Sequence, residues 1–426
     1  MASSKFEVDL PVEAGGLKLR NPFIVGSGPC TKSVGQLVEA ERCGWAAASI
    51  KLSMDPSPYV NLPPRYRWLS KEGYHVFTAE TRLDVEAGLR LMREARRCTG
   101  SLVLFANMAY TGEEGLCGWV RMAEKFADAG AHAIELNLCC PNMSFNVAKS
   151  SGGASALPPS GASLGSDPVA VRGITRAVKA AVDVPVISKI TPEGGNIAEV
   201  AQAAFEGGAD AVTSVGNRLG IPPFDPADPA GAFYRAQRGM SLGCISGPLM
   251  RPFALRDVFE IRKRVGPDRC IIGMGGVAGA EDAIRFTMCG ADLIGICTET
   301  MLRGFRLLAP LVREVRAFLD ERGVGDWRGL RDSLHPYMLG AHELAIAPAH
   351  AEVDAARCTG CGRCLGPAHC VAISLEKKKA RVDVERCLAC STCVDLCPSG
   401  AIRIVEERRP SRSRRRTSLP RARRKR

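Results

Sequence analysis

No apolar run of about 18 residues, the length a membrane-spanning helix needs, occurs in this 426-residue sequence. The opening MASSKFEVDL carries acidic residues where a secretory leader needs an apolar centre, so the expected compartment is the cytoplasm. No G-x-G-x-x-G follows an apolar run in the strand–turn–helix setting that a dinucleotide-binding fold requires, so no site of that kind is visible. The body of the chain also lacks a basic surplus. The net charge is +12, but residues 408–426 (RRPSRSRRRTSLPRARRKR) hold eleven basic residues and no acidic one, and 12 − 11 leaves about +1. The body therefore shows no nucleic-acid footprint, and the tail reads as a disordered, solvated segment.

What is present is a repeated alternation. Eight short apolar runs, PFIVGS, WAAASIK, LVLFANM, AIELNL, VPVISKI, DAVTSV, CIIGMG and DLIGIC, are spaced along residues 22–297. Each is short and apolar enough for a parallel strand buried on both faces. Amphipathic stretches such as GWVRMAEKFADAG and IAEVAQAAFEGG follow them, with apolar residues recurring at three and four. The segments AGAHAIE, GGADAVT and CGADLIG each pass from a helix end through glycine into a strand. Eight strand–helix units predict an α/β fold, a (β/α)8 TIM barrel, with a doubly wound open sheet as the alternative. Residues 52–82, 139–167 and 216–250 are longer than ordinary connections and read as lids or insertions.

The eighteen cysteines are unevenly placed, ten in residues 1–345 and eight in residues 358–397. In the second group, CLACSTCVDLCP (387–398) follows the C-x2-C-x2-C-x3-C-P run of bacterial ferredoxins. CTGCGRCLGPAHC (358–370) departs from it, with five residues before Cys370 and no proline after it. A cubane cluster takes three thiolates from one run and a fourth from the other. Cys358, Cys361, Cys364 and Cys397 are thus expected on one [4Fe-4S] cluster, and Cys370, Cys387, Cys390 and Cys393 on a second; paired zinc sites are the alternative. The expected organisation is a barrel over residues 1–345, a small α+β dicluster ferredoxin-like domain over 346–407 and the basic tail over 408–426. Clusters pass single electrons, so the barrel is expected to hold a group that splits electron pairs, as flavin does.

The stretches NPFIVGSGP, ELNLCCPN, VISKITP, GCISGPLMRPFALR and GMGG, with the fused ferredoxin, resemble the FMN-binding barrel of the dihydroorotate dehydrogenase family and its dihydropyrimidine dehydrogenase branch. The resemblance implies bound FMN and an oxidoreductase acting on a CH–CH or C=C bond. It places Gly26, Ser27, Gly28, Lys51, Asn137, Lys189, Gly247, Gly275, Gly276, Cys297 and Thr298 around the cofactor. Cys140 becomes the proton donor or acceptor, a role that a buried structural cysteine would not have, and Cys139 stands where serine is usual. Substrate contacts fall to His75, Asn137, Asn142 and Asn217. His75 stands where this branch carries an asparagine, Gly216-Asn217 where Asn-Thr is expected and Asn142 where histidine is common. The implied partners are a small-molecule substrate and a separate FAD- and NAD(P)H-containing electron-transfer subunit, in a homo- or hetero-oligomer. Neither membrane nor nucleic acid is expected as a partner.

Overall fold

All eight apolar runs are strands. The computed structural model describes residues 8–57, 61–78, 80–140, 161–229, 231 and 233–406. The strands are β1 (Phe23–Val25), β2 (Ala47–Ser49), β3 (Val103–Tyr110), β4 (Ala133–Leu138), β5 (Val186–Ile190), β6 (Ala211–Ser214), β7 (Cys270–Met274) and β8 (Leu293–Ile296). Every neighbour pair is parallel; β3 pairs with β4 (Phe105 opposite Ala133) and β8 with β1 (Ile294 opposite Phe23), which closes the ring. The open-sheet alternative is thereby excluded: the unit is a TIM barrel. Closure explains the composition, because a strand covered by side chains inside and by helices outside has no wet face, and seven of the eight strands are buried along their whole length.

The helices are α1 (Val34–Arg42), α2 (Val85–Cys98), α3 (Leu116–Asp128), α4 (Pro168–Ala181), α5 (Ile197–Glu206), α6 (Arg251–Val265), α7 (Ala280–Cys289) and α8 (Leu308–Arg322). Four begin on side chains that satisfy free backbone donors: Ser33 accepts from Gln36 N–H, Asp84 from Ala87, Asp167 from Val169 and Asn196 from Glu199. Their apolar stripes and the outer faces of the strands form one continuous core.

Two of the long connections are not irregular. Tyr66–Leu69 and Tyr74–Phe77 from the first, with Arg218–Gly220 and Gly243–Ser246 from the third, make a four-stranded antiparallel sheet. This sheet stands over the C-terminal ends of the barrel strands. The loop segment 141–160, Asn142 within it, and the tail 408–426 lie outside the described residues.

The chain divides into two compact units, one ending at Met338 and the other beginning at Leu339. In the second unit Ala349–Val353 pairs antiparallel with Ile402–Glu406, and Ile373–Glu376 forms a hairpin with Lys379–Val382. Its small core includes Cys358, Cys364 and Cys393 beside Ala351, Ala380 and Ile402. It is a ferredoxin-like segment. Among the described residues, no helix is long and apolar enough to cross a membrane.

Candidate active site

Because all barrel strands run the same way, the residues that follow them meet at one end. There they line a single cleft enclosing about 1120 Å³, counting its open mouth. Ser27 and Gly28 come from β1, Lys51 from β2, Asn137, Cys139 and Cys140 from β4, Lys189 from β5, and Gly216 and Asn217 from β6. Gly275 and Gly276 follow β7, Cys297 and Thr298 follow β8, and the antiparallel sheet contributes Phe77, Cys244, Ser246 and Gly247. Gly26 and His75 do not reach the wall. Gly26 instead packs under Met274, whose Cε occupies the space a β-carbon would need.

The floor is organised by Glu135, a carboxylate 3% exposed inside a strand. Asn107 donates to its Oε2 at 2.5 Å, Ser49 Oγ donates to the same oxygen, and Thr213 Oγ1 donates to Oε1 at 3.3 Å. Lys189 Nζ stands 3.4 Å from it. Burial pulls the Lys189 ammonium down, but Glu135, with the nearby Cys139 and Cys297 sulfurs, together leave its pKa raised. The ammonium form of Lys189 is thus favoured at the cleft floor. Asn137 is oriented in turn, donating from Nδ2 to Asn107 Oδ1 at 2.9 Å.

The opposite wall carries a second charged group. Lys51 Nζ abuts Glu80 Oε2, and Tyr66 donates to Glu80 Oε1 at 2.5 Å. Burial, then the Arg82 guanidinium, pull the Lys51 ammonium down to about 8; the Glu80 contact acts in the opposite sense. Arg82 Nη2 donates to Cys140 Sγ at 3.3 Å and Nη1 to the Glu80 carbonyl at 2.8 Å. The neighbouring thiol differs: Cys139 is buried, donates to Asn137 Oδ1 at 3.5 Å, and burial pushes it up to about 12. Of the two adjacent thiols, Cys140 faces a cation and Cys139 is sealed in. Burial also holds Cys297 up at about 11.

His75 sits behind the wall, its ring 5.3 Å from that of Tyr66 and nearly parallel to it. Burial draws its pKa down to about 4, and its Nδ1 has no hydrogen-bond partner among the described residues. Burial favours its neutral form, and its ring packs against Tyr66 behind the cleft wall. Gly216 is fixed by space, since a β-carbon there would stand 2.7 Å from the Gly275 α-carbon. An asparagine cannot occupy that position, and Asn217, one residue on, brings the amide to the cleft instead.

The residues present fit a flavin nucleotide. Gly275 (φ 134°) and Gly276 (φ 78°) open a backbone ledge after β7, and a β-carbon at Gly276 would come 2.6 Å from the Gly247 carbonyl. Their φ values and these close approaches call for glycine at both positions, and the loop after this strand is a common phosphate site in such barrels. Lys51 and Lys189 line the same cleft.

In the second unit Cys358, Cys361, Cys364 and Cys397 ring one small cavity, and Cys370, Cys387, Cys390 and Cys393 ring another. Cys370 is in place despite its longer spacing. Among the described residues, no group of three or more Cys, His, Asp or Glu side chains is placed to hold a single metal ion. Backbone N–H groups already point at sulfur, from Ala380 to Cys358 at 3.5 Å, Ala351 to Cys387 at 3.3 Å and Ala401 to Cys397 at 3.2 Å. The Ala380 N–H leads in holding the Cys358 thiol below its usual pKa.

Sequence reasoning did not pick out Asn107, Glu135, Tyr66, Glu80 or Arg82. Asn107 and Glu135 had a signal, as polar residues inside the apolar runs LFANM and AIELNL. The other three lie in the long connection whose path the sequence does not reveal.

A barrel of this build joined to an iron–sulfur module defines a class of redox enzymes. Within that class the chain belongs to the dihydroorotate dehydrogenase family, whose sequence pattern matches residues 9–319. A 4Fe-4S binding domain matches residues 380–403. The chain is 27% identical over 371 residues to the NAD-dependent dihydropyrimidine dehydrogenase subunit PreA of Escherichia coli (strain K12), covering 84% of each. It is 28% identical over 323 residues to the catalytic subunit of dihydroorotate dehydrogenase B (NAD(+)) of Thermoplasma volcanium, covering 74% of this chain and 94% of that one. Chloroplastic dihydropyrimidine dehydrogenase (NADP(+)) of Arabidopsis thaliana is 25% identical over 352 residues, 77% of this chain and 78% of the relative. The family implies FMN, and the second match implies a 4Fe-4S cluster.

Proposed function

We propose that this protein is an FMN- and iron–sulfur-dependent oxidoreductase that interconverts a C=C and a CH–CH bond in a small, planar, pyrimidine-like substrate. The observation that carries this reading is the convergence of Lys51, Asn137, Cys140 and Lys189 with the glycine ledge in one cleft. The names of the relatives support the same bond type. When bound, flavin supplies hydride exchange with a substrate carbon. The chain's own residues do the rest. The backbone at Gly247, Gly275, Gly276, Cys297 and Thr298 holds the phosphate, beside Ser27 and Gly28 of the β1 end. Lys189 and Lys51 place positive charge where negative charge develops. Asn137 orients the substrate through an amide that both donates and accepts. Cys140 gives or takes a proton at the substrate carbon next to the one that exchanges hydride.

Two [4Fe-4S] clusters, on the two rings of cysteines described above, form the electron path. Electrons come from or go to a separate subunit carrying FAD and an NAD(P) site. We take the compartment to be the cytoplasm, where cluster thiolates and a proton-transferring thiol stay reduced. The expected boundary at residue 345 moves to Met338 and Leu339, where the two compact units divide; the cluster domain is taken to run to 407 and the basic tail to the end.

A second reading, the same chemistry on a substrate other than a pyrimidine, is favoured by His75, which presents no amide to a uracil edge and leaves Asn137 and Asn217 lining the cleft among the described residues. A missing buried partner costs about 1–3 kcal/mol, so uracil turnover is expected to fall by roughly 10- to 100-fold. The test is anaerobic purification, chemical reduction of the flavin, and mixing with candidate unsaturated compounds. Recovery of the oxidised flavin spectrum by one of them is the expected result. Reoxidation by uracil with kcat/KM at or above about 10⁴ M⁻¹s⁻¹ would restore the pyrimidine as substrate. A protein that holds no flavin ends both readings.

A further inference from the structure

The cleft contains a cation that the chemistry above does not use. Arg82 is 4% exposed, lines the cleft, and makes two side-chain hydrogen bonds, to the Glu80 carbonyl and to Cys140 Sγ. A guanidinium has five N–H donors. Lys189 is balanced by Glu135 and Lys51 by Glu80. Among the described residues, no carboxylate stands within ion-pair distance of Arg82, and a buried charge without a partner is costly.

The residue is also held still. Asn61 Nδ2 donates to the Arg82 carbonyl at 3.0 Å, and the Arg82 N–H donates to Asn61 Oδ1 at 2.7 Å. This two-way clamp fixes the Arg82 backbone, and the bonds from Nη1 to the Glu80 carbonyl and from Nη2 to Cys140 Sγ orient the fork itself, so less ordering is left for ligand binding. The flavin phosphate does not need it, because the glycine ledge follows β7. Arg82 lies instead against the thiol that serves the substrate.

We propose that Arg82 is a substrate-binding residue that receives a carboxylate carried on, or conjugated to, the substrate carbon that exchanges a proton with Cys140. The preferred substrate class is an α,β-unsaturated carboxylic acid. This rests on the functional reading above and narrows it. Arginine suits the task because its planar fork meets a carboxylate with two parallel hydrogen bonds. Its place beside Cys140 Sγ sets the carboxylate next to the protonated carbon, where negative charge accumulates as the double bond is reduced. His75, neutral and behind the wall, has no part in this.

The experiment is calorimetric titration of the oxidised, flavin-loaded protein without a reductant, so that no turnover occurs. Matched probes differ only in charge: trans-2-butenoate against trans-2-butenamide, and cinnamate against cinnamamide. Orotate against uracil serves as a third pair. At least one enoate should bind about 10-fold or more tightly than its amide. In Arg82→Gln that ratio should collapse to about one, and in Arg82→Lys, which keeps the charge but loses the fork, it should fall part way.

The inference is overturned if no acid outbinds its amide, or if the ratio survives in Arg82→Gln. An orotate preference indifferent to Arg82 also overturns it. If Arg82→Gln does not fold, an unchanged ratio in Arg82→Lys decides against it. Should Arg82 serve only the thiol, the Arg82→Gln change would alter the rate of Cys140 alkylation by iodoacetamide while leaving the acid-to-amide ratio intact, which also overturns it. Flavin and iron assayed on the same samples separate this outcome from failure of the parent reading, since a protein with flavin but no acid preference contradicts only the role of Arg82.

Discussion

Arg82 donates a hydrogen bond to the sulfur of Cys140 at 3.3 Å, across 58 residues of sequence. The contact ties the connection after β2 to the end of β4 and singles out one of two adjacent thiols. Cys139 donates to Asn137 Oδ1 instead, and burial, outweighing the pull of Lys189, holds it near 12. The two should therefore respond differently to the same substitution. Cys140→Ser should slow reoxidation of the reduced flavin by substrate by on the order of 10²–10⁴-fold with FMN retained, because a hydroxyl is the weaker acid. Cys139→Ser should change it only a few-fold, since serine can donate the same bond to Asn137. Single-turnover rates measure both, and equal losses would remove the distinction.

Lys51 gives the activity a pH limit. Burial and Arg82 lower its pKa to about 8, so the ammonium is present below that value and lost above it. If its charge assists the reaction, kcat/KM should decline as pH rises through about 8. In Lys51→Met the activity should be low throughout and that alkaline limb absent. A limb that persists unchanged in the variant belongs to another group.

His75 should make stability depend on pH. Its folded pKa is about 4 through burial, against an unfolded value near 6.5. The unfolded chain then binds the extra proton between these values, so stability is full above about 6.5 and lost as pH falls toward 4. His132, also lowered to about 4 by burial and then Arg96, contributes in the same sense. Thermal unfolding from pH 7 down to 5 should show a falling Tm, and His75→Asn should lessen the fall without abolishing it. An identical slope in the variant would show that His75 takes up its proton without penalty.

Electron entry follows from what the chain does not carry. No glycine fingerprint for a dinucleotide follows a strand, so NADH mixed anaerobically with the isolated protein should reduce its flavin slowly or not at all. Addition of a competent FAD-containing partner should make reduction rapid. Rapid, stoichiometric reduction by NADH alone would place a nicotinamide site in this chain.

The barrel was legible because parallel strands buried on both faces leave continuous apolar runs, and each of the eight runs became a strand. The two rings of cysteines were legible from spacing. The antiparallel sheet over the cleft was not, because Tyr74–Phe77 and Gly243–Ser246 are short, lie in long connections, and join residues as far apart as His75 and Ser246. That sheet accounts for most of what sequence reasoning missed. It turns His75 away from the cleft, and its connections carry Glu80 and Arg82 into place. Gly216 shows the reverse case: its missing amide looked like a loss, but the approach of Gly275 forbids a side chain there and Asn217 lines the cleft instead.

The most direct test of the central claim, a flavin barrel in series with two iron–sulfur clusters, needs no substrate. Protein purified without oxygen should contain one FMN and about eight irons and eight acid-labile sulfides per chain. Cys370→Ala should lower the iron by about one cluster and leave FMN bound. Zinc in place of iron, no labile sulfide, or no flavin would contradict the account.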